Sequence, residues 1–160
     1  MKTKFLSDLV VKDIFGSRYI ELYLPFAYYS EILNKIVVIP VGFVCDKESI
    51  PLIKGTSNVG GVVHDYWCRK DSKPVVTKQQ AADLYHEAQI CRDKILLEAQ
   101  ICRDEMLDEN WFKRLGRKFI RQFKRFDRAF RRQFKTLVVR VAPGYFHRHK
   151  VLSTLDEISI

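Results

Sequence analysis

One hundred and sixty residues make one ordinary domain, and a 47% hydrophobic content is enough to bury a core. No run of about 18 apolar residues occurs, which excludes a spanning helix; Ser7, Asp8, Lys12 and Asp13 break the apolar start before it reads as a secretory signal. Of 28 Lys/Arg and 19 Asp/Glu, residues 113–150 hold 14 and one (Asp127), leaving 14 and 18 elsewhere, so a net of +13 at one end faces −4 on the remainder.

A mildly acidic body thus carries a strongly basic end. Such an end attracts nucleic acid, an anionic membrane or an acidic protein surface. The first third reads as strands. Residues 18–24 (RYIELYL) stop at Pro25, residues 35–39 (KIVVI) stop at Pro40, and residues 41–45 (VGFVC) form a third short candidate. A small antiparallel sheet is expected from them. A loop over 54–58 and the pair Gly60-Gly61 follow, then a short helix over 62–69. Thr77 is the expected N-cap of the next helix, with Gln80 completing a capping box. The four cysteines, Cys45, Cys68, Cys91 and Cys102, form no C-x-x-C pair and are expected as free thiols.

From Thr77 helical signals run almost to Pro143, and they contain a repeat. Residues 87–97 read EAQICRDKILL and residues 98–108 read EAQICRDEMLD. The eleven-residue period continues more weakly in ENWFKRLGRKF, IRQFKRFDRAF and RRQFKTLVVRV. Eleven residues are three turns at about 3.67 residues per turn, so an apolar stripe stays on one face. That stripe holds Phe112, Phe119, Phe123, Phe126, Phe130 and Phe134, and the basic face holds Arg121, Arg125, Arg128 and Arg132. One helix over 87–141 would be about 80 Å long. A break near residues 108–110 or at Gly116 would make a pair instead. The stripe suits a core, an oligomer or a membrane surface, and the arginines suit phosphates.

The chain is therefore expected to be α+β: a small N-terminal antiparallel sheet, then a helical region ending in a long amphipathic eleven-residue-repeat helix or helix pair. Its expected parts are 1–86 with the His-Asp segment, the basic extension 87–142, and a tail 143–160.

His64-Asp65, with Asp83 nineteen residues on, is the candidate catalytic group. Asp83 against the His64 ring would fix its tautomer and raise the basicity of the other nitrogen, which would then activate water. Asp65 would hold a hard cation with carbonyls of the Gly55–Gly61 segment. The same His-Asp pair is also what a purely structural hydrogen bond between helices looks like. His86, His147 and His149 read as surface residues.

Residues 39–51 (IPVGFVCDKESIP), then 63–66 (VHDY), then Ala82-Asp83 resemble a family of short phage and prophage proteins of unknown function. The resemblance covers residues 20–90. It singles out Asp46, Ser49, Pro51 and Tyr66 as motif residues, and it implies a phage origin. Cys45 stands for the family's threonine, Glu48 for its alanine and Cys68 for its tyrosine. A weaker similarity to the phospholipase A2 domain of parvovirus capsids implies His64 as base, Asp83 as its support, and Asp65 as ligand of a calcium ion.

Three functions follow as expectations. The first is a minor virion or tail-associated structural protein, docking through the basic extension on other virion proteins or on itself, with nucleic acid or an anionic membrane as further contacts. The second is a metal-dependent, phospholipase-like hydrolase at a membrane or envelope. The third is a host-directed binding protein. The place expected is the virion or the cytoplasm of the infected host.

Overall fold

The structure, a computed structural model, describes residues 1–17, 19–46, 58–69, 71–106 and 111–141. Six strands precede three helices: β1 (Lys4–Phe5), β2 (Val11–Asp13), β3 (Tyr19–Leu22), β4 (Phe26–Ser30), β5 (Lys35–Ile39), β6 (Val44–Asp46), α1 (Asn58–Trp67), α2 (Lys78–Met106) and α3 (Trp111–Val141). The α+β class is as the sequence indicates, but the strands form two antiparallel sheets, β1-β4-β5 and β2-β3-β6.

The unanticipated strands are β1, β2 and β4. Pro25 reads as a terminator, yet it stands just before β4, a place that needs no backbone donor. β4 lies between β1 and β5 and is buried along most of its length. β3 alternates instead: Ile20 and Leu22 point into the core, Tyr19 and Glu21 outward. In β5 the same period buries Val37 and Ile39 and exposes Ile36 and Val38. The β4–β5 turn uses Asn34 at φ 51°, and its side-chain oxygen accepts from the Tyr29 hydroxyl at 2.5 Å.

Both sheets contribute to one core with α1 and α2, including Ile20, Leu22, Phe26, Tyr28, Val62, Val63, Trp67 and Leu84. Each fully buried aliphatic side chain here contributes about 1.5–3 kcal/mol. Trp67 donates its indole N–H to the Tyr28 hydroxyl at 2.7 Å, so the largest core ring leaves no orphaned donor. α1 begins earlier than expected. Gly60 and Gly61 belong to its first turn, buried, and not to a loop.

The capping box of α2 forms in full. Gln80 N donates to Thr77 Oγ1 at 3.2 Å, and Thr77 N donates to Gln80 Oε1 at 2.9 Å. The inner face of α2 carries Ala81, Leu84, Tyr85, Ala88 and Cys91 at helical spacing. Past Cys91 that burial ends, and residues 94–96 are exposed.

The repeat region is a helix pair. α3 returns antiparallel along α2, as Asp93 meets Arg132, His86 meets Thr136 and Asp83 meets Arg140. The helix does not break at Gly116, which lies inside α3. None of the four cysteines forms a disulfide; Cys45, Cys68 and Cys91 are buried and Cys102 is exposed.

Among the described residues, no helix is long and apolar enough to cross a membrane.

Candidate functional site

His64 stands on the partly open side of α1, while Val62 and Val63 beside it are in the core. Its Nδ1 lies 3.1 Å from Asp65 Oδ1 and its Nε2 lies 3.4 Å from Cys68 Sγ, one turn on. The ring stands edge-on to Tyr85 of α2, centroids 5.7 Å apart. Burial works against charging this imidazole, but the Asp65 carboxylate and then Cys68 outweigh it, and the pKa is pushed up to about 10. At neutral pH His64 therefore holds its proton. A charged ring with both nitrogens engaged is a hydrogen-bonding hub, whereas a general base needs a neutral one with a free nitrogen.

The expected His64–Asp83 contact does not form. The Asp83 carboxylate pairs with the Arg140 guanidinium of α3. The reason is helical phase: residues two apart on a helix face nearly opposite directions. Tyr85 faces His64, so Asp83 faces α3.

A calcium ion finds no ready cage among the described residues. Asp65 Oδ1 is engaged by His64, Gly60 and Gly61 lie in the first turn of α1, and no cluster of three or more His, Cys, Asp or Glu forms. Calcium prefers six to eight oxygens. Gly55 lies outside the described residues, as do Ser49 and Pro51. Asp46 is placed in β6 opposite Tyr19. Tyr66 is buried, its ring against Phe43 and Trp67, and its hydroxyl accepts from Lys73 N at 3.2 Å.

Sequence reasoning passed over Glu87. Its carboxylate accepts from Thr3 Oγ1 (2.5 Å), Ser30 Oγ (2.7 Å), Glu31 N (2.6 Å) and Ile32 N (3.0 Å), pinning α2 to the β4–β5 turn and the N-terminal segment. The only sequence signal was an acid at the head of the first repeat copy. His86 is also more than a surface residue: its Nδ1 lies 2.8 Å from Thr136 Oγ1, and burial followed by Arg132 and Arg140 holds its pKa below the usual value.

Among the described residues, α3 carries an exposed aromatic stripe. Lys135 and Thr136 are buried against α2, and Arg121, Arg128 and Arg132 are half-buried. The stripe consequently faces away from the body. Phe119, Phe123, Phe126 and Phe130 are 61–75% exposed, Phe134 less so, while Leu137 and Val141 extend the stripe. Arg125 is exposed. Phe112 lies in the first turn of α3, its side chain outside the described set. Amphipathic helices usually turn their apolar stripe inward. Here the acids of α2 capture the basic face first.

Compared with protein-family models, with curated proteins and with solved structures, the chain matches none.

Proposed function

We propose that this is a phage-encoded, particle-associated protein that works by docking. In this reading an α+β body presents α3, and the outward aromatic stripe of α3 binds a larger surface. The carrying observation is the orientation of that stripe: rings from Phe119 to Phe130 are exposed on the side opposite the α2 contact. Contiguous apolar patches of this kind mark interaction sites. The phage assignment rests on the resemblance over residues 20–90. The His64 cluster then serves to tie α1 together and to seat it on Tyr85. The hydrolase reading has less support, because both ring nitrogens of His64 are engaged and Asp83 is held by Arg140.

The test is fractionation of infected cells making the chain, with Phe123→Glu/Phe130→Glu as the variant. The wild type should travel with particles or the envelope fraction, and the folded variant should remain in the supernatant. Equal partitioning of the two would sink the docking reading.

A further inference from the structure

Resting on that docking reading, we infer that the surface α3 binds is an anionic lipid bilayer, with the helix lying flat in its interface. At about 100° per residue, Phe119, Phe123, Phe126, Phe130, Phe134 and Val141 fall within an arc of about 80°. They run along about 34 Å of helix. This is a narrow, continuous, ring-rich strip on a helix too polar to cross a membrane.

The charges decide the occupant. α3 carries twelve Lys/Arg and one acid, Asp127, whose side chain pairs with Arg131. Bringing two such helices stripe to stripe would oppose two basic surfaces even after Asp93 and Asp83 of α2 have paired with Arg132 and Arg140, so a second copy of this chain is disfavoured. A nucleic-acid duplex needs cations at the contact, but the outward sector is phenylalanine, while Arg128, Arg132 and Lys135 turn toward α2. A bilayer with anionic headgroups meets both halves of the pattern. Its acyl boundary takes the rings, and its headgroups lie level with exposed cations on either flank of the strip: Lys124 on one side, Lys118 and Arg125 on the other. Exposed cations flanking an exposed aromatic strip are the features of an interfacial helix.

The probe is sedimentation of the full chain with vesicles of phosphatidylcholine alone or mixed with phosphatidylglycerol. The wild type should bind the mixed vesicles about tenfold or more tightly than the neutral ones. Phe123→Glu/Phe130→Glu should lose binding to both while keeping the wild-type circular dichroism and melting profile. Lys118→Glu/Lys124→Glu lies outside the stripe and should lose only the preference for anionic vesicles. No binding by the wild type, or binding that survives the phenylalanine replacements, overturns the lipid assignment. So does a dimer in sedimentation equilibrium that the same replacements dissociate, since that gives the face to a second copy. If vesicles fail while cell fractionation still depends on the stripe, docking stands and the bilayer falls.

Discussion

Arg132 of α3 reaches Asp93 of α2 with Nη1 2.6 Å from Oδ2, both side chains about one-fifth exposed, and this contact holds the Arg132 side of α3 against α2. With Arg132 turned inward, helical geometry turns Phe130 and Phe134 outward. A half-screened ion pair of this kind couples its partners by about 1 kcal/mol. A double-mutant cycle with Asp93→Asn and Arg132→Gln should return that coupling, and it should shrink in concentrated salt. Additive effects of the two substitutions would mean that another contact orients the helix.

The eleven-residue period makes a stricter demand. Deleting residues 98–108 shortens α2 by three turns, about 16 Å, and slides α3 by one repeat without rotating it. Arg121 holds the same place in its block as Arg132 in the next. The deletion variant should remain folded, with Asp93 now coupled to Arg121 and no longer to Arg132. Loss of cooperative unfolding, or coupling that stays with Arg132, would contradict a sliding register.

Glu87 and Glu98 head two nearly identical repeat copies, but Glu87 accepts four hydrogen bonds and Glu98 is exposed. Glu87→Ala strands the donors of the β4–β5 turn and should cost about 3 kcal/mol in urea unfolding. Glu98→Ala should stay within about 0.5 kcal/mol. Equal effects would refute the pinning role.

The raised pKa of His64 fixes a pH window. Its folded value near 10 lies above the ordinary 6.5, so its stabilisation is complete below 6.5 and disappears as pH rises through 10. The wild type should therefore lose stability between these values relative to His64→Gln. An NMR titration should show the ring still protonated well above neutrality, and a midpoint near 6.5 would refute the assignment.

His86 has the opposite sign. Its folded pKa is depressed, so the contribution of its neutral form is present above 6.5 and is lost as pH falls below that. Relative to the intrinsic rate, which itself slows as pH falls, hydrogen exchange in α3 should accelerate as pH drops below 6.5. In His86→Gln the acceleration should be largely absent.

Local pattern was enough for the elements whose cause is local. The Thr77/Gln80 capping box, the β5 run before Pro40 and the phase of the phenylalanine stripe could all be read from spacing. β4 escaped because Pro25 marks a strand's start as well as its end, and only the flanking strands β1 and β5 decide which. The Asp83 partner escaped because helical phase relative to a neighbour is a tertiary quantity, and Tyr85 took the side facing His64. The duplicated block isolates the reason. From the same seven letters, EAQICRD, the fold buries Glu87, Ala88 and Cys91 and leaves Glu98, Ala99 and Cys102 in solvent. Sequence determined that both copies are helical and that their faces are in register. Tertiary structure alone decided which copy meets the sheets, because burial depends on where the core ends along α2.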